Sequence, residues 1–156
     1  MGFNFAGLII KNNIENQEQL ESLLNQKLEY YKSVSFDDAT SSLRDDDSVD
    51  ILKTKNGVLV IMALGQKYDL TKIPGEVIQF MNSDVSDTYY FEKCTDGKLD
   101  RKYITSQDNT AEDFGENYIV EDEDLIDVVW AFADEYLRIN ILKNQSRISF
   151  ERFIIK

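Results

Sequence analysis

Seven apolar residues in a row, Val58 to Leu64, follow directly on the pair Asn56-Gly57. A strand with one wet face alternates apolar and polar residues. An unbroken run instead needs cover on both faces. Asn-Gly is the pair that best supplies two positive-φ residues to a two-residue type I′ hairpin loop. The sequence therefore predicts a hairpin over Ser48–Leu64, with Val58–Leu64 as a central strand paired with residues 49–55.

The other elements follow from the same patterning. Phe3–Lys11 reads as a largely apolar, buried strand. Asn16 is placed to cap a helix running to about Lys27, with Leu20, Leu23, Leu24 and Leu28 on one face. Glu29–Phe36 reads as a strand and Asp37–Leu43 as a short helical turn. A second hairpin spans Asp87–Thr105 about Asp96-Gly97. A two-residue loop there would set Thr95 opposite Lys98 and Cys94 opposite Leu99. It would also pair Lys93 with Asp100, Glu92 with Arg101, Tyr90 with Tyr103 and Tyr89 with Ile104. Glu76–Val85 is expected beside it. Ser106 to Asn117 reads as a polar loop. After it, Leu125, Val128, Val129, Phe132, Ala133, Tyr136 and Leu137 mark one face of a helix. Asp124 stands at its cap position, and Asp134 and Arg138 at the spacing of an ion pair. Ile148–Ile155 closes the chain as a strand. The fold class expected is α+β: a mainly antiparallel sheet with two principal helices packed on it, in a single domain over residues 1–156.

What the chain lacks narrows its chemistry. It has no histidine, which removes histidine-based triads, histidine zinc sites and histidine acid–base catalysis. One cysteine, Cys94, permits neither an intrachain disulfide nor a Cys-x-x-Cys centre. Glycine-rich phosphate loops are absent. The run Asp45-Asp46-Asp47-Ser48-Val49-Asp50 fails the calcium-loop pattern, since its fifth and sixth positions are Val49 and Asp50. No cofactor or metal is expected, and the protein is read as a non-enzyme. The alternatives are a carboxylate-dependent metal hydrolase and a structural or regulatory module.

Charge gives the one positive indication. The net charge is −12, which disfavours binding to nucleic acid or to anionic membranes. Lys98, Arg101 and Lys102 form a small basic spot that Glu92 and Asp100 offset. The N-terminal segment has no basic start or cleavage pattern, so the expected compartment is the cytoplasm. Residues 106–136 hold eleven acids and no base, whereas residues 51–105 are nearly neutral. Such a density is kept either because water solvates it or because a cationic partner matches it. Asp108, Glu112, Asp113, Glu116, Glu121, Asp122 and Glu123 are therefore the candidate partner-binding residues, and the partner expected is a basic protein.

The stretch from Asp87 to Lys102, with its Asp96-Gly97 turn, is followed by Phe114-Gly115-Glu116 and an acidic helix start. Over about residues 87–140 this resembles small bacterial proteins of the polymorphic-toxin immunity type. The resemblance implies neutralisation of a toxin and assigns no binding residues.

Overall fold

The computed structural model describes residues 3–107, 109–115 and 124–156. In chain order these form β1 (Asn4–Ile10), α1 (Gln17–Leu24), β2 (Leu28–Ser35), α2 (Phe36–Ala39), β3 (Ser48–Lys53), β4 (Val58–Met62), β5 (Glu76–Ser83), β6 (Thr88–Thr95), β7 (Lys98–Ser106), β8 (Asn109–Gly115), α3 (Leu125–Leu137) and β9 (Ser149–Ile155). A single 3₁₀ turn covers Leu70–Lys72. The strands make one nine-stranded sheet in the order β2-β9-β3-β4-β1-β5-β6-β7-β8, and each pairing is antiparallel.

Successive side chains of a strand point to opposite faces, and the core divides accordingly. Phe5, Ile9, Leu59, Ile61, Phe80 and Phe91 share one cluster with Leu125, Val129, Trp130 and Tyr136 of α3. Leu8, Ile10, Val58, Val60, Met62 and Phe153 share the other with Leu20 and Leu24 of α1. β4 lies between β3 and β1 and is buried along its whole length, but it ends at Met62, two residues short of the apolar run, and Leu64 is exposed. Asn16 caps α1 by accepting a hydrogen bond from the Gln19 amide at 2.9 Å.

The two hairpins depart from expectation in instructive ways. At the second, Asp96 and Gly97 both take positive φ, and Cys94 faces Leu99 and Thr95 faces Lys98 as expected. Beyond that point the register shifts, with Asp100 as the extra residue of a β-bulge. Lys93 then faces Arg101, Glu92 faces Lys102, Tyr90 faces Ile104 and Tyr89 faces Thr105. Tyr90 and Tyr103 end on opposite faces. At the first hairpin the type I′ expectation fails. Lys53 pairs with Val58, Thr54 donates its amide to the Gly57 carbonyl at 2.9 Å, and neither Asn56 nor Gly57 has positive φ. Gly57 serves a different end. A Cβ there would stand 2.7 Å from the Tyr136 carbonyl oxygen and 2.9 Å from that of Ile10.

Four further expectations are corrected. Residues Asn109–Gly115 form an edge strand on β7, where a loop was expected, with Gln107 at positive φ in the turn before it. In α3, Trp130 is buried and Phe132 only partly so, and Asp124 makes no side-chain capping bond. Asp134 and Arg138 do not pair. Arg138 adopts the left-handed conformation that ends the helix, while Asp134 Oδ1 accepts from the Ile141 amide at 2.8 Å.

Candidate functional site

Of the seven residues the sequence nominates, Glu112 and Asp113 lie on β8. Asp108, Glu116, Glu121, Asp122 and Glu123 lie outside the described residues. β8 is exposed at each of its positions. Its two acids are adjacent, so they project to opposite faces of the sheet. On one face Lys102 Nζ stands 3.7 Å from Glu112 and 3.9 Å from Glu92. On the other, the guanidinium of Arg101 is buried and bonds Asp113. Arg101 also donates to the Phe114 carbonyl at 2.9 Å and lies 5.2 Å from the centre of the Tyr103 ring. Gly115 closes this arrangement. It has φ +88°, and a Cβ would lie 1.9 Å from the Asp100 carbonyl, so only glycine lets β8 approach here. The basic spot suggested by Lys98, Arg101 and Lys102 is thus largely internal, since two of its three cations serve acids of the same sheet.

The acids of the earlier run separate. Asp45, Asp46 and Asp47 are exposed, but Asp50 is fully buried. Its carboxylate accepts from Arg44 Nη1 at 2.9 Å and, in bidentate fashion, from Arg152 Nε and Nη2, both at 2.8 Å. Arg44 reaches on to the Ala39 carbonyl at 2.8 Å and so ties α2 to β3. The carboxylate is committed to two guanidinium groups, which leaves it unsuited to holding a metal ion. In the sequence Asp50 is only the last acid of a run that fails the calcium-loop pattern. The two arginines that hold it are 6 and 102 residues away in the chain. Cys94 is buried as well. Burial first, then Glu92, Asp100 and Asp69, push its thiol pKa upward, so the thiolate form is disfavoured.

A cavity of about 270 Å³ opens where the start of α3 crosses the sheet. β5 supplies Asn82, the turn after it Asp84 and Asp87, β6 Tyr89, β7 Tyr103, and the helix end Asp124. Tyr89 donates its hydroxyl proton to Asp84 Oδ1 at 2.9 Å. Burial first, and then Asp84 and Asp87, push the phenol pKa up to about 12, so the hydroxyl stays protonated at neutral pH. Asn82 is 1 % exposed. Its Nδ2 donates to the Phe3 carbonyl at 2.9 Å and to Asp84 Oδ1 at 3.2 Å. No local signal marks this cavity in the sequence, because its lining comes from three strands, a turn and a helix end.

Compared with protein-family models, curated proteins and solved structures, the chain matches none.

Proposed function

We propose that this chain is a non-enzymatic, acidic protein-binding domain of the cytoplasm that inhibits a basic toxin in the manner of an immunity protein or antitoxin. The observation that carries this reading is the concentration of eleven acids and no base in residues 106–136. The exposed edge strand β8 lies within that segment and displays Glu112 and Asp113. An acidic surface raises the encounter rate with a cationic partner, and an inhibitor of this kind would cover the partner's basic active site.

The test is purification of the partner from the native host, followed by association kinetics at two salt concentrations. Neutralising Glu112, Glu116 and Asp122 together should slow association and change dissociation little, because peripheral charges act chiefly on the on-rate. Asp113 is left out of this set because it compensates the buried guanidinium of Arg101. Raising the salt should reproduce the effect, since the screening length falls from about 10 Å at about 0.1 M to about 3 Å at about 1 M. An acidic partner, or an unchanged on-rate in the triple variant at low salt, overturns the reading.

A further inference from the structure

We propose that the cavity between α1 and the β2-β9-β3 end of the sheet binds a free α-amino acid with an apolar side chain. The cavity measures about 250 Å³ and lies at the far end of the sheet from β8, so the inference stands apart from the inhibitor reading. Its floor is made by Ile14, Leu20, Ile51, Val58 and Phe153, each no more than 5 % exposed. A hollow floored in this way favours an aliphatic or aromatic group over water. The volume falls just below the range for drug-sized ligands, about 300–1,000 Å³, and so suits a smaller molecule.

Two opposite charges stand over that floor. Glu151 on β9 faces Ile51 on β3, and Lys53 lies two residues further along β3, on the same face of the sheet. Lys53 and Glu151 are thus diagonal neighbours, about 7–8 Å apart at the backbone. Among the described residues neither forms a salt bridge, with the other or with any third group, and Lys53 Nζ reaches only the Glu15 carbonyl, at 3.5 Å. A zwitterion bridges that gap. Its carboxylate answers Lys53, its ammonium answers Glu151, and the side chain on the same α-carbon goes to the floor. A peptide end or a single side chain offers only one of the two charges.

The walls are held before a ligand arrives. Gln17 donates from Nε2 to the Leu28 carbonyl at 2.7 Å, which ties the first turn of α1 to β2. Asn16, on the same wall, is fixed by its capping bond. On the other side Tyr30 stands edge-on to Phe153, with ring centres 5.7 Å apart. Groups that are already ordered lose little freedom on binding.

The test titrates the full chain, ¹⁵N-labelled, with L-leucine and, separately, with glycine, leucine amide, N-acetyl-leucine and N-acetyl-leucine methylamide. L-Leucine should shift the backbone amides of Ile51, Val58 and Phe153 saturably. Glycine should bind at least about tenfold more weakly, the effect of leaving an aliphatic side chain out of the hollow. Leucine amide lacks the carboxylate and N-acetyl-leucine lacks the ammonium, and each should bind about fivefold more weakly than leucine. Lys53→Gln should weaken leucine about fivefold and leave leucine amide unchanged, whereas Glu151→Gln should weaken leucine and leave N-acetyl-leucine unchanged. Both side chains are exposed, so both variants should fold as the parent chain does. No saturable shift, equal binding of leucine and glycine, or variants that weaken all the ligands alike each overturn the proposal. N-acetyl-leucine methylamide binding as tightly as leucine also overturns it, and makes the hollow a seat for an apolar side chain of another protein.

Discussion

β4 and β8 belong to the same sheet and have opposite surroundings. Each residue of β4 is buried; each residue of β8 is exposed. β4 has a strand on either side and core clusters on both faces, so an unpartnered polar atom there has nowhere to find water. β8 is paired on one side only and carries Asn109, Thr110, Glu112 and Asp113. Acids at a sheet edge remain solvated and also discourage further strands from adding to that edge. The contrast separates the part of the molecule that holds the fold together from the part free to carry charge.

The sharpest way to break that contrast is to exchange the two chemistries. Val60→Glu would bury a carboxylate among Leu8, Ile51 and their apolar neighbours. Its cost should exceed about 5 kcal/mol, the upper range for single substitutions. That is comparable with the total stability of a small domain, about 5–15 kcal/mol. The expected result is loss of a cooperative urea transition. Glu112→Val, the reverse exchange on β8, should change stability by no more than about 0.5 kcal/mol.

Cover over β4 comes next. Trp130 packs with Phe3, Phe5 and Phe36 at ring separations of 5.6–6.1 Å, and its Nε1 is buried with no hydrogen-bond partner. Trp130→Ala should cost about 3–5 kcal/mol. Trp130→Phe should cost much less, because it removes a buried donor that nothing satisfies. Phe132→Ala should fall below Trp130→Ala, since Phe132 is only partly buried and rests against Phe91 and Tyr136 at the cluster's margin. Denaturant midpoints of the three variants in that order would support the assignment of the helix face; Phe132 outranking Trp130 would refute it.

What could be read from the sequence follows the same division. The apolar run Val58–Leu64 and the helical spacing of Leu125–Leu137 are legible because burial on two faces, or along one stripe, leaves a periodic mark. β8 left no such mark, since neither of its faces is buried. The two turn signals show a second limit. Asp96-Gly97 behaves as its residues dictate, whereas Gly57 answers to the carbonyl of Tyr136, 79 positions along the chain and invisible to a local pattern. Among the candidate binding residues the acid density was plain. That Asp113 is bound to a buried arginine, and that Asn82, Tyr89 and Tyr103 share a cavity, came only from strand order.

Gly57, the residue before β4, provides the third test. A methyl group there meets backbone oxygens at 2.7 and 2.9 Å, neither of which belongs to a flexible side chain. Gly57→Ala should therefore destabilise by about 1–3 kcal/mol, as overpacking does. A glycine required only for loop freedom would give a different pattern. In that case Gly57→Asn would be tolerated, because asparagine accepts left-handed backbone. Here the larger side chain should be worse than alanine. Thermal midpoints of the two variants decide between these causes.

The smallest effect separates the two acids of β8 from each other. Both lie on the exposed strand, and charge alone would treat them as equivalent. Glu112 is itself half-exposed and stands 3.7 Å from Lys102, which keeps Glu92 at 3.9 Å, so Glu112→Gln should change stability by less than about 0.5 kcal/mol. Asp113 is itself half-exposed, but its partner is not: the Arg101 side chain is 2 % exposed. Asp113→Asn withdraws the negative charge from a guanidinium that cannot turn to water. Arg101 keeps its bond to the Phe114 carbonyl. The loss should therefore stay near the lower part of the range for a buried group losing one partner, about 1–3 kcal/mol. Urea unfolding in high salt would sharpen the difference, because screening acts on exposed pairs far more than on buried ones. A gap between the two variants that survives about 1 M salt locates the stabilising acid of β8 at Asp113 and leaves Glu112 free for a partner. Equal effects at both positions would mean that the edge strand contributes charge and no structure.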